Sequence, residues 1–95
     1  MRMLMKVQIP TEEGNAAISG GQLPAMLQKA MEQLKPEAAY FYAEDGRRAA
    51  LIVFDMAEPS QIPVVAEPWF QGLNATVDFR PVMIADDVQA GLGQL

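Results

Sequence analysis

The side chains that could do chemistry in this chain are carboxylates, tyrosines, lysines and arginines, because its 95 residues include neither histidine nor cysteine. Without imidazole and thiol groups, Ser-His-Asp triads, thiolate nucleophiles, disulfides, and zinc or haem ligation by histidine or cysteine are excluded. Acid–base chemistry by a carboxyl group with a shifted pKa remains, as does binding without catalysis. We expect no cofactor and no metal, since the adjacent acidic pairs are better interpreted as solvated turns.

Alternation with a period of two in four strand-like segments predicts which residues share a face of a sheet. One face is expected to be apolar and covered by helices, with Met5, Val7, Ile9, Ala39, Phe41, Ile52, Phe54, Met56, Val77 and Phe79. The opposite face is expected to be mixed, with Lys6, Gln8, Tyr40, Tyr42, Leu51, Val53, Asp55, Asp78 and Arg80.

Two interpretations of the mixed face compete. In the first, its charges are ordinary solvated or interface charges, and each cross-strand pair of them contributes about 0.2–1 kcal/mol to stability. In the second, a partner subunit packs over the face and encloses a cavity for a small organic ligand. Asp55 would then be the candidate catalytic acid or base. The candidate ligand-binding residues are Tyr40, Tyr42, Arg80, Lys6 and Gln8.

Seven segments must position these residues in a single domain covering 1–95. Strands are predicted at 3–9 and 75–83, and a hairpin at 38–57 turns at the Asp-Gly pair of "EDG". Thr11 is expected to cap a helical turn that "SGG" at 19–21 breaks. An apolar stripe from Leu23 to Leu34 predicts a helix that ends at Lys35, before Pro36. A second helix follows at 62–73, and the tail 85–95 begins a short helix at Asp86 or Asp87.

This order, β-α-β-β-α-β, is the ferredoxin-like α+β plan. Its four-stranded antiparallel sheet has the first and third strands at the centre, the fourth beside the first and the second beside the third. Both helices cover one face, and the other face is left open.

The only tryptophan, Trp69, follows Pro68 inside the second predicted helix. A proline there is expected to kink or split the helix, because it lacks the N–H group that the helix needs. Pro68 could begin a second short helical segment and so aim Trp69 and Phe70 in a set direction. A core anchor is favoured over a ligand contact, since aromatic side chains bury a large area.

Net charge and hydropathy limit the partners. Seven basic and twelve acidic residues give a net charge of −5, with no basic run beyond Arg47 and Arg48. Nucleic acid and anionic membrane surfaces are therefore not expected. The start, "MRMLMKVQIP", is too short and polar for a signal peptide, and no apolar run is long enough to span a membrane. A soluble, cytoplasmic protein is predicted.

The element order, the tryptophan-containing helix and the run "GLNATVDFRPVM" into the last strand resemble the dimeric α+β barrel superfamily. Within it, residues 3–84 are most similar to a small bacterial family of unknown function. The resemblance implies a homodimer with sheets packed face to face. The superfamily includes monooxygenases, isomerases, haem-handling enzymes and non-catalytic stress proteins, so it does not fix an activity. Haem-binding members need an axial histidine, which is missing here; Asn15 and Trp69 resemble the pocket residues of cofactor-free monooxygenases only in type.

The sequence favours a homodimeric, non-catalytic module that binds a small molecule or has a structural role. The alternative is a cofactor-independent enzyme, similar to a monooxygenase or an isomerase, with its pocket on the open face of the sheet.

Overall fold

The computed structural model describes residues 1–95 and contains four strands and four helices. The strands are β1 (Arg2–Ile9), β2 (Ala38–Glu44), β3 (Arg47–Asp55) and β4 (Thr76–Pro81). The helices are α1 (Thr11–Ser19), α2 (Gln22–Leu34), α3 (Gln61–Leu73) and α4 (Ala85–Leu92). None of these helices is long and apolar enough to cross a membrane.

The strands form one antiparallel sheet in the order β2-β3-β1-β4, which confirms the predicted strand order. The element order is β-α-α-β-β-α-β-α, which differs from the six-element plan by two helices. The chain between β1 and β2 forms two helices instead of one, and α4 follows the last strand. The sheet has free edges at β2 and β4, so a single chain is an open α+β domain and not a closed barrel.

Glycine and proline set most of the boundaries between elements. The predicted break at "SGG" is confirmed: Gly21 has a φ of 76° and precedes α2, whereas α1 before it is a full helix of nine residues. Its N-cap is Pro10 and not Thr11, and no side chain caps it. Lys35 ends α2 with a φ of 45°, because the residue before a proline is pushed out of the helical region.

The hairpin between β2 and β3 turns at Asp45 and Gly46, as predicted. Their φ angles are 52° and 76°, the positive values that a two-residue hairpin turn of this hand requires. The turn fixes the register in which Glu44 lies opposite Arg47. This register decides which β2 side chains share a face with those of β3.

The core lies between one face of the sheet and the helices α1, α2 and α3. Fourteen of the sixteen buried apolar residues form one cluster there, and no polar or charged side chain is buried. β1 alternates strictly, with Met5 fully buried and Lys6 half-buried. Phe41 is the exception to the predicted covered face, because 57% of it is exposed. It lies on the edge strand β2, beside a cavity that the helix layer does not fill.

Helix α3 runs without interruption from Gln61 to Leu73 through Pro68, so the predicted split is wrong. Pro63 lies at its third residue, where the N–H group has no partner within the helix anyway. Pro68 removes one internal hydrogen bond, and the packing of Trp69 and Leu73 on the sheet offsets this loss. Trp69 is only 3% exposed, which confirms that it is a core anchor.

The predicted tail helix is present as α4, but it starts at Ala85 and buries no residue. The Asp87 carboxylate accepts a hydrogen bond from the Ile84 N–H at 3.0 Å, and Arg2 lies 3.7 Å from the same carboxylate. The chain exposes 6296 Å², against about 5400 Å² for a typical monomer of this mass. Its radius of gyration of 15.0 Å also exceeds the typical value of about 12 Å.

The central position of Ile52 gives the first prediction. Ile52→Ala is expected to lower the free energy of unfolding by about 2–5 kcal/mol, because Ile52 is 0% exposed and its removal leaves a cavity. Leu92→Ala is the matched control: this side chain is 62% exposed on α4, and its loss should change stability by less than about 0.5 kcal/mol. Urea unfolding followed by circular dichroism checks both, and equal losses would contradict this description of the core.

Candidate functional site

The structure places all six sequence-predicted site residues on the face of the sheet opposite the helices. Residues that lie directly opposite one another on the four strands form rows across the sheet. One row contains Tyr40, Leu51, Lys6 and Asp78, and the next contains Ala38, Val53, Leu4 and Arg80. A third row holds Tyr42, Ala49, Gln8 and Thr76. The two edge strands lie three strand spacings apart, or about 14 Å. Tyr40 and Arg80 therefore share a face but are not brought together into one pocket.

Lys6 and Gln8 converge on Glu44, at the end of β2. The Lys6 ammonium forms an ion pair with the Glu44 carboxylate, and the Gln8 amide donates a hydrogen bond to the Glu44 carbonyl oxygen at 3.2 Å. Both side chains reach from β1 across β3 to β2, and Gln8 lies directly opposite Ala49 of β3. The hydrogen bond that the Lys6 ammonium donates to the Glu44 carboxylate is the main reason that the pKa of Lys6 is raised. Lys6 is thus already occupied by a carboxylate of its own chain.

Glu44 is a residue of this face that sequence reasoning assigned to the turn. The Tyr42 hydroxyl also lies 3.4 Å from a Glu44 carboxylate oxygen, so Glu44 contacts three of the predicted residues, Lys6, Gln8 and Tyr42. The signal that could have found it is the spacing of two from Tyr42, which puts both on one face of a strand.

Asp55 lies at the end of β3 with 85% of its side chain exposed. Its carboxylate accepts a hydrogen bond from the Met1 ammonium at 2.7 Å, and this contact is the main reason that the pKa of Asp55 is lowered. An acid or base for catalysis near neutral pH needs a raised carboxyl pKa instead. The catalytic role of Asp55 stays a prediction, and in this arrangement the side chain is an ionised surface carboxylate.

The open face has only one depression. Leu4, Lys6, Asp78 and Arg80 line it, and its volume is about 140 Å³. Neither Asp78 nor Arg80 forms a salt bridge within the chain. This pair of unpaired opposite charges lies along the edge strand β4.

The most apolar cavity lies on the other side of the sheet, between the sheet and α2. It has a volume of about 260 Å³. Ten hydrophobic residues and one arginine line it: Val7, Ile9, Leu23, Leu27, Phe41, Tyr42, Arg48, Ala49, Ala50, Ile52 and Trp69. Sequence reasoning assigned this space to the core, because alternation identifies a covered face without showing whether the cover fills it. The small pair Ala49 and Ala50 on a central strand is the signal that was available.

Arg48 is the only charged residue that lines this cavity. Its period-two relation to Ala50 and Ile52 puts it on the helix side of β3. The guanidinium donates a hydrogen bond to the Asn15 side-chain oxygen at 3.0 Å and forms no salt bridge. A side chain at Gly14 would place its Cβ 2.7 Å from an Arg48 nitrogen, so the glycine lets the guanidinium lie against α1.

Trp69 separates this cavity from a groove between α2 and α3. The groove has a volume of about 290 Å³, and Lys29 and Gln33 are among its lining residues. Trp69 and Asn15 are the two residues that resemble pocket residues of monooxygenases in type. Trp69 lines the cavity, whereas Asn15 accepts a hydrogen bond from Arg48, so the two residues are related only through Arg48. No three acidic residues lie close enough together to hold a metal ion.

The ion pair of Asp55 gives a prediction about pH. Asp55→Asn is expected to lower stability slightly at neutral pH. The folded-state pKa of Asp55 lies below its ordinary value of 3.8. The stabilisation by the ion pair between Met1 and Asp55 is therefore present above pH 3.8. It is lost as the pH falls through the lowered pKa, where the parent carboxyl is also protonated.

Urea unfolding of the parent and the variant, from neutral to acidic pH, measures this difference. Asp45→Asn is the control, because Asp45 is exposed in the hairpin turn and asparagine tolerates the same positive φ. A stability difference for Asp55→Asn that stays constant down to strongly acidic pH would contradict the prediction.

Comparison of the sequence with protein families and with characterised proteins finds no match. The structure supports the coarser part of the predicted resemblance, an α+β domain with a four-stranded antiparallel sheet and helices. The function is therefore inferred from the geometry of the chain itself.

Proposed function

We propose that the protein is a small-molecule-binding module whose ligand occupies the cavity between α2 and the sheet. The observation that carries this proposal is an apolar cavity of about 260 Å³ beside the core, which opens toward solvent at exposed Phe41 and Tyr42. Concave, mostly apolar clefts of this kind are where small ligands bind. An engineered apolar cavity of about 150 Å³ holds benzene, so this one has room for about ten non-hydrogen atoms.

The cavity walls support binding more than catalysis. The lining consists of aliphatic and aromatic side chains and of Arg48, and it presents almost no polar surface to the cavity. A guanidinium keeps its charge at any pH that proteins tolerate and so exchanges no proton with a substrate. On the open face, the enzymatic alternative is left with an exposed Asp55 and with a depression of about 140 Å³, which is smaller than the apolar cavity. We therefore place the ligand on the helix side of the sheet.

Trp69 provides a direct test, because it is the only tryptophan and it lines the cavity. Octanamide, a neutral apolar molecule of suitable size, is expected to shift the Trp69 emission and to raise the melting temperature. Ala50→Leu should abolish both effects, because Ala50 lines the cavity and the larger side chain fills it. Fluorescence titration and thermal unfolding measure the two effects.

Ala25→Leu is the matched control, since Ala25 is exposed on α2 and is not among the lining residues. It should bind octanamide as the parent does, and circular dichroism verifies that both variants are folded. Octanamide binding that persists unchanged in Ala50→Leu, or that is absent from the parent, would refute the proposed site.

We further propose that the open face of the sheet packs against the same face of a second copy, as in a dimeric α+β barrel. The strand order β2-β3-β1-β4 is the order that the sequence predicted, and together with the resemblance to dimeric α+β barrels it supports this arrangement. Half-buried Leu4, Leu51 and Val53 form the apolar centre of the open face.

The charges of this face suit a second copy of the same chain. A twofold axis places the same patch opposite itself, so a self-complementary patch needs both signs of charge. Asp78 and Arg80 supply them on one strand, and neither is paired within its own chain. Arg80 of each copy can therefore meet Asp78 of the other.

Val53→Asp is expected to convert the dimer into a monomer, because it places an unpaired carboxylate at the apolar centre of the interface. Val64→Asp is the control: Val64 is 67% exposed on α3, away from the open face, and should leave the mass unchanged. Light scattering after size exclusion, at several concentrations, measures the mass. A monomeric parent, or a dimer that survives Val53→Asp, would contradict the proposed interface.

A further inference from the structure

We propose that the edge strand β2 pairs with β2 of the second copy, in antiparallel orientation, so that the two sheets of the dimer are joined along one side. The inference rests on the proposed dimer and adds to it the edge through which the backbones of the two copies meet. It also brings the second copy to the mouth of the apolar cavity, which opens at Phe41 and Tyr42.

The first observation is that β2 is an edge strand without protection. It pairs with β3 only, and β3 is the only element that it contacts extensively. The outer side of an edge strand presents backbone N–H and C=O groups that another strand can pair with, and proteins usually protect such edges with charges, proline or a bulge. Residues 38–43, "AAYFYA", contain no charge and no proline, and their pairing with β3 is continuous. The other edge, β4, contains Asp78, Arg80 and Pro81.

The second observation is the exposure of aromatic side chains along this edge. Tyr40, Phe41 and Tyr42 are consecutive residues, and all three are exposed. Because side chains alternate along a strand, both faces of β2 present an aromatic ring to solvent. Aromatic side chains stabilise a sheet through contacts with the residues across from them on the next strand. A strand added beside β2 would cover rings on both of its faces.

The third observation is that the carboxylates at the two ends of β2 are neutralised within the chain. Glu37 forms an ion pair with Arg2, and Glu44 forms an ion pair with Lys6. Like charges that face each other across two strands are destabilising. A chain with a net charge of −5 needs such neutral edges if two copies are to pair. An uncharged edge is therefore suited to a second copy of itself.

The symmetry of the proposed dimer brings the two β2 strands together. A twofold axis that lets Arg80 of each copy meet Asp78 of the other sets β4 opposite β4 in the reverse direction, and β2 opposite β2 in the same way. The axis then crosses the row of residues midway between Asp78 and Arg80, which contains Phe79, Met5, Ile52 and Ala39. In the paired strands, Ala39 of one copy lies directly opposite Ala39 of the other.

A single introduced cysteine tests this arrangement, because the chain contains none and the new thiol can only pair with its counterpart in another copy. Ala39→Cys is expected to form a disulfide-linked dimer in most molecules when oxidised glutathione is added. Directly opposite residues of antiparallel strands have Cα atoms about 4.5–5.5 Å apart, which is within the range that a disulfide spans. Non-reducing gel electrophoresis measures the linked fraction.

Ala43→Cys is the matched control. Ala43 is on the same strand and the same face as Ala39, and it is exposed. It lies four residues from the axis, so the two Ala43 positions of a dimer are about 26 Å apart and cannot be linked. Circular dichroism verifies that both variants are folded. Equal linkage of the two variants would indicate random collision and would overturn the inference.

The outcomes separate the edge contact from the proposed dimer. A dimeric mass by light scattering without linkage of Ala39→Cys would overturn the edge inference and leave the packing of the open faces intact. A monomeric parent would overturn both. Linkage of Ala39→Cys that is lost when Val53→Asp is added would support both. Linkage that persists in this double variant would support the edge contact and contradict the packing of the open faces.

Discussion

The cross-strand contact between Met5 and Ile52, at the centre of the sheet, is the interaction on which the rest of the structure depends. The two residues lie directly opposite each other on β1 and β3, and both are completely buried. Once their side chains point toward the helices, the period of two fixes the direction of every other side chain in these strands. The sheet therefore has one face that a single helix layer covers and one face that it leaves open.

The two faces give the protein two different surfaces with different physical characters. The helix side contains the buried apolar residues and, where α2 does not fill the space above Ala50 and Phe41, a cavity. The open side contains charges that largely pair within the chain, as Lys6 does with Glu44. On the helix side, Trp69 of α3 has two roles: it is buried in the core, and it forms part of the cavity wall. The cavity and the open face thus lie largely on opposite sides of the sheet, and Tyr42 and Ala49 of the open face also border the cavity.

Local signals in the sequence were sufficient for much of the fold. The turn at Asp45 and Gly46, the end of α2 at Lys35 and the alternation in β1 depend on the conformational preferences of a few adjacent residues. The same signals failed at Pro68, where packing of Trp69 and Leu73 on the sheet keeps α3 continuous in spite of the missing hydrogen bond. The sequence also predicted a six-element plan, because the segment before the break at 19–21 was expected to form only a helical turn and not the complete helix α1.

The candidate site shows the same division. The sequence by itself determined the chemistry that is available, because the absence of histidine and cysteine is a fact of composition, and it determined which strand residues share a face. Only the tertiary structure decided that Lys6 is paired with Glu44, that Asp55 is exposed, and that Arg48 lines an apolar cavity without a salt bridge. The physical reason is that alternation along a strand is a local property. Cavities and ion pairs instead depend on how segments far apart in the sequence pack against each other, and no local pattern specifies this packing.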